Sequence, residues 1–106
     1  MPTYLVQASY QAAGAKGLMS EGGSKRRDAA SKAISAAGGK VDASHFAFGE
    51  HDAYVVVDLP DNVRAAAASL AINASGVVRT TTTVLVTPEE VDAAAKKTVP
   101  YRAPGQ

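Results

Sequence analysis

Strand formers crowd residues 3–10, Thr-Tyr-Leu-Val-Gln-Ala-Ser-Tyr, and this run predicts a first strand. Residues 11–23 mix alanines with glycines and read as a short, weak helix followed by a loop at Glu21-Gly22-Gly23. Ser24 is placed to cap a second helical stretch. From Lys25 to Ala37 the apolar positions Ala29, Ala30, Ala33, Ile34 and Ala37 recur at helical spacing, and Gly38-Gly39 supplies the stop. Residues 40–48 and 51–58 are two β-rich runs around Gly49-Glu50, a pair that fits a type II′ hairpin turn. Pro60 breaks the second run. Asp61 is an N-cap for a helix whose apolar positions are Val63, Ala66, Ala67, Leu70 and Ala71. Residues 77–86 predict a fourth strand. Thr87-Pro88-Glu89-Glu90 opens a short last helix that ends near Val99-Pro100.

This order is β-α-β-β-α-β with an added C-terminal helix. It predicts an α+β fold of the ferredoxin-like kind: a four-stranded antiparallel sheet with both crossover helices on one face. Residues 1–99 form the expected domain, and 100–106, with two prolines and a glycine, a flexible tail.

A two-residue turn fixes the hairpin register. It pairs Phe48 with His51, Phe46 with Ala53, Ser44 with Val55 and Asp42 with Val57. Phe46, Phe48, Ala53, Val55 and Val57 then make one face apolar, the face expected under the helices, with His51 and Phe48 at its turn end. The other face carries Val41, Ala43, His45, Ala47, Asp52, Tyr54 and Val56. There His45 lies opposite Tyr54 and diagonal to Asp52. Such a face, apolar with three convergent polar groups, suits a partner sheet with a pocket between the two.

Composition sharpens this picture. The chain has 106 residues, enough for one domain and one core. Hydrophobic residues are 46% of it, but many are alanines, with two Phe, four Tyr and no Trp. Alanine buries little area, so the core is thin, and a thin core gains from a second surface buried against a copy of itself. The formal charge of +1 gives no electrostatic footprint for nucleic acid or membrane. With no cysteine, a disulfide framework, a thiolate metal site and a thiol nucleophile are excluded. The sequence shows no signal peptide and no apolar run of membrane-spanning length, so a cytoplasmic location is expected.

The sequence resembles the GYD-domain family. The resemblance runs through Pro2-Thr3-Tyr4, Gly38-Gly39-Lys40-Val41, Phe48-Gly49-Glu50-His51-Asp52-Ala53, Leu59-Pro60-Asp61 and Val77-Val78-Arg79-Thr80, about nine-tenths of the chain. The family takes its name from a Gly-x-Tyr-Asp turn, and here Gly49 and Asp52 match while His51 stands for the tyrosine. The resemblance implies a ferredoxin-like fold related to dimeric α+β barrels, and it implies no particular reaction.

The candidate catalytic residues are His45, Asp52 and Tyr54, and the candidate ligand-binding residues are Tyr4, His45, Asp52 and Tyr54. An imidazole such as that of His45 suits acid–base chemistry. Its plainer reading is a hydrogen-bonded interface histidine. Asp52 is a base, a ligand-binding carboxylate, or a group that satisfies backbone N–H near the turn. Two histidines on opposite faces do not make a metal site, and no cofactor is expected. Lys25-Arg26-Arg27 splay around a helix and read as a solvated face. The glycines lack Walker spacing. Thr80–Thr83 is ordinary strand chemistry with hydroxyls on both faces.

Three functions follow from these residues. The first is an oligomeric module, its partner itself, with a small molecule held between packed sheets. The alternative is a small cofactor-free enzyme in which His45 is the acid–base residue and Asp52 its orienter. The third, a nucleic-acid module using Lys25, Arg26, Arg27 and Arg79, is opposed by the near-neutral charge.

Overall fold

The computed structural model describes residues 1–106. It is an α+β fold with a four-stranded antiparallel sheet and four helices. The elements are β1 (Thr3–Tyr10), α1 (Ala12–Glu21), α2 (Gly23–Ala36), β2 (Lys40–Phe46), β3 (Ala53–Asp58), α3 (Asn62–Ala74), β4 (Val78–Leu85) and α4 (Pro88–Ala95). The strands lie in the order β2-β3-β1-β4, the ferredoxin-like order expected from the sequence. Each crossover joins two parallel strands with an antiparallel third between them. No helix is long and apolar enough to cross a membrane.

Several boundaries follow from local chemistry. The Asp61 carboxylate accepts from the Arg64 N–H at 2.9 Å and starts α3. Thr87 and Glu90 exchange hydrogen bonds at 3.0 and 2.9 Å, so α4 opens with a full capping box behind Pro88. At the end of α2, Gly38 has φ +87°, and the Gly38 and Gly39 N–H groups donate to Ser35 and Ile34. That is a Schellman closure.

The break before α2 is tighter than the expected loop. Gly22 alone, at φ +87°, separates α1 from α2. Its N–H closes α1 onto Leu18, and its carbonyl accepts the first bond of α2, from Arg26. Ser24 therefore lies inside the first turn of α2 and caps nothing.

The hairpin turn also differs. Gly49 has no positive φ, so there is no type II′ turn. Residues 47–52 form a wider loop, closed by the Ala47 N–H on the Asp52 carbonyl at 2.8 Å. Phe46–Ala53, Ser44–Val55 and His45–Tyr54 nevertheless pair as expected. Further along, a bulge at Asp42 pairs Val41, not Asp42, with Val57. Val41 consequently turns to the helix side and packs on the core.

That core is small. Tyr4, Ile34, Val57, Leu59 and Ala65 form one buried cluster, and Ala8, Ala53 and Val78 a second. Tyr4 is only 3% exposed, and its hydroxyl donates to Asn62 Oδ1 at 2.6 Å, which ties β1 to the start of α3. The inward residues of α3 are Ala65, Ala68, Ser69 and Ile72. The expected stripe is out of phase: Val63 and Leu70 are 78% and 72% exposed. Polar chemistry sets this phase. Asn73 donates to the Ser69 carbonyl and to Thr80 Oγ1, and accepts from the Thr80 N–H, locking α3 to β4.

The far end of the chain stands away from this body. Every residue from Thr81 to Gln106 is exposed, and α4 makes at most marginal contact with other elements. The radius of gyration is 16.8 Å, against roughly 13 Å for a compact chain of this length.

Candidate functional site

Alternation along the strands assigns Tyr4, Val6, Ala8, Ala53, Val55 and Val57 to the helix-covered face. Their neighbours line the open face. There the register assembles transverse rows that the hairpin alone does not reveal, because β1 and β4 complete them. One row is His45, Tyr54, Gln7 and Thr81 across all four strands. The next is Ala43, Val56, Leu5 and Thr83. The third is Lys40, Asp58, Thr3 and Leu85.

The first row meets the β2–β3 loop. The His51 ring stands edge-on to Tyr54, with ring centroids 5.9 Å apart and planes at 87°. His51 Nδ1 lies 3.2 Å from Ser9 Oγ, within hydrogen-bond reach. His51 therefore sits beside Tyr54 on the open face, not at the end of the helix-covered one. The wide loop carries it there, where a two-residue turn would have held it on the other side. Tyr54 thus has His45 as its strand partner and His51 against its ring.

Asp52 does different work. Its Oδ2 accepts from the Tyr10 N–H at 2.8 Å, and its own N–H donates to the Ala8 carbonyl at 2.8 Å. These two bonds clamp the loop onto the end of β1. Among the candidate residues, His45 and Tyr54 share one row, Asp52 lies beside them as the clamp, and Tyr4 is under the helices. Leu5 holds the open-face position next to Tyr4. Gln7, Ser9 and the role of His51 were missed by sequence reasoning; the strand alternation of residues 3–10 was the signal for the first two.

The third row is electrostatic. Thr3 Oγ1 donates to Asp58 Oδ1 at 2.6 Å, and Lys40 Nζ lies 3.7 Å from Asp58 and 3.6 Å from Asp42. The Thr3 hydrogen bond, opposed by partial desolvation and aided by Asp42 and Lys40, holds the Asp58 carboxyl below its ordinary value. No three His, Cys, Asp or Glu side chains stand close enough together to hold a metal ion. Arg79 pairs with Ser9 on the open face, while Arg26 and Arg27 are on α2, on the other side of the sheet. The four cations weighed for nucleic acid thus do not share one surface.

Chemically, this end of the open face offers two imidazoles, a phenol, an amide and hydroxyls around an apolar floor. Such a set can orient and exchange protons with a small polar molecule once a cover excludes water. The family model of the GYD domain matches residues 4–95. Comparison with the curated proteins and with the solved structures found no match to this chain.

Proposed function

The chain belongs to the GYD-domain family, and from that premise we propose that it works as a homo-oligomer. Its open sheet faces pack together in the manner of a dimeric α+β barrel. They enclose a small-molecule pocket around His45, Tyr54 and Gln7, with Asp52 at its rim. One observation carries this reading. The Ala43, Val56 and Leu5 row is apolar and lies in the middle of a face that nothing in the chain covers. Burying it against a copy removes that area from water at roughly 25 cal/mol per Å², and paired sheets leave room for side chains between them.

The C-terminal arm supports the same reading. An isolated eight-residue helix is marginal in water. Yet α4 opens with a complete capping box, stands off its own body and exposes Val91. A second copy supplies the missing surface.

Native mass spectrometry of untagged protein tests the proposal. The expected result is a dimer or larger oligomer that retains a small bound mass. A monomer at micromolar concentration overturns it.

A second reading, a cofactor-free acid–base enzyme, draws on the Ser9–His51–Tyr54 arrangement. Asp52 is engaged by Tyr10, so Ser9 is the group that orients an imidazole. The architecture is shared with enzymes only at the level of fold. On this reading His45→Ala or His51→Ala abolishes turnover and leaves the oligomer mass unchanged.

A further inference from the structure

The helix-covered face of the sheet is not fully covered. α2 packs over β2 and α3 over β4, the two edge strands, and the helices make at most marginal contact with each other. The central strands β3 and β1 therefore lie beneath a gap. Sequence is the cause: α2 and α3 point Ala30, Ala65 and Ala68 toward one another, and alanines do not reach across. The result is a cavity of about 70 Å³ with Val6 and Val55 as its floor and Ile34 and Ile72 on its walls.

A water takes roughly 10–15 Å³ by this measure and needs two to four polar partners. The cavity has space for several waters but few groups to hold them. Of the 20 residues around it 14 are hydrophobic, and of its Ser44, Ser69, Thr80 and Thr82 hydroxyls those of Ser69 and Thr80 are already engaged with each other and with Asn73. An apolar guest suits such walls better.

One rim differs. Arg26 and Arg27 line the cavity from the first turns of α2. Arg27 pairs with Asp28 at 3.3 Å. Arg26 is half-buried and has no carboxylate within ion-pair distance. A half-buried guanidinium with a free planar fork matches a carboxylate.

We propose that the α2–α3 cleft binds a monocarboxylate with a slim hydrocarbon tail, the tail in the cavity and the carboxylate on Arg26. This site is on the opposite side of the sheet from the His45–Tyr54 row and does not depend on oligomerisation.

Octanoate is the probe, titrated into the full chain and followed by amide chemical shifts, with octanol and acetate as controls. Octanoate is expected to saturate shifts at Ile34, Val55 and Ala68, octanol to bind more weakly and acetate not at all. Arg26→Gln, a change on a half-buried surface residue, weakens octanoate by about tenfold, the scale of one charge-assisted hydrogen bond. Ala68→Leu fills the cavity and removes binding while the spectrum stays folded. Equal binding of octanol and octanoate, with Arg26→Gln unchanged, overturns the carboxylate assignment. Silence of the cleft amides toward octanoate overturns the site. Cleft amides that ignore octanoate but move when residues 99–106 are removed give the cleft to the chain's own C-terminal segment, which also overturns it.

Discussion

The Tyr10 N–H donates to Asp52 Oδ2 at 2.8 Å, from the last residue of the first strand to the last residue of the β2–β3 loop. Strand pairing between β1 and β3 ends at Ala8–Ala53. Asp52 extends the connection beyond it with a side chain in place of a ladder bond. The aspartate of the family's namesake turn thus has a structural task in this chain.

Asp52→Ala therefore costs about 1.5–3 kcal/mol of folding stability, the range for a hydrogen bond to a charged group. Asp52→Asn keeps an acceptor and costs less. Urea unfolding measures both. A neutral Asp52→Ala would remove the clamp from the account of the site.

Glycines 39 and 49 respond in opposite ways. A Cβ on Gly39 would run into the Asp58 carbonyl oxygen and the Leu59 side chain, both fixed by the core. Gly39→Ala is expected to destabilise by about 2 kcal/mol, the scale of core overpacking. Gly49 has nothing within 4 Å and no positive φ. Gly49→Ala stays within about 0.5 kcal/mol of the parent. Thermal melts on the two variants separate them.

Asp58 gives stability a pH dependence of known sign. Its folded pKa is below the ordinary 3.8, so the folded state binds the proton less readily than the unfolded chain does. Its contribution is complete above that ordinary value and fades as pH falls through the lower, folded one. Thr3→Val removes the largest lowering cause. NMR titration should show the Asp58 carboxyl moving upward in that variant. The stability gap between variant and parent should close in acid. A gap that widens in acid contradicts the assignment.

Val56 occupies the middle of the apolar row, between Ala43 and Leu5. Val56→Lys places a charge where the proposed partner sheet packs. The expected product is a folded monomer by light scattering with unchanged far-ultraviolet dichroism. A variant that keeps the parent's oligomer mass moves the interface off this face.

Tyr4→Phe loses one hydrogen bond to Asn62, whose side chain is near solvent and can find water. A cost of about 1 kcal/mol follows, with oligomer mass unaltered. A change in oligomer or ligand retention would return Tyr4 to the functional residues.

Much of this fold was legible in local chemistry. Asp61, Thr87 with Glu90, and Gly38-Gly39 each act on their own few neighbours, so the sequence names them without tertiary context. The His45–Tyr54 pair was legible too, because the wider loop is centred on Gly49-Glu50 and keeps the same partners. Three features were not. The bulge at Asp42 shifts a register that the turn alone would carry unbroken along the hairpin. α3 has alanines on every side, so its phase is decided by the Asn73–Thr80 bonds and not by its apolar positions. His51 lies in a loop, where side-chain alternation no longer predicts a face.

The strand order sets a schedule for the growing chain. β1 is made first, yet its neighbours are β3 and β4, with Thr3 beside Asp58 and Leu85. The β2–β3 hairpin can close on its own, but β1 must wait across two long loops, and such closures are slow. A chain halted before Val78 leaves β1 as a bare sheet edge, with Leu5 and Gln7 beside unpaired backbone. Edges of that kind pair with other chains. Fragments ending in α3 are therefore expected to aggregate, and the last strand to be synthesised is also the one that keeps the first from doing so.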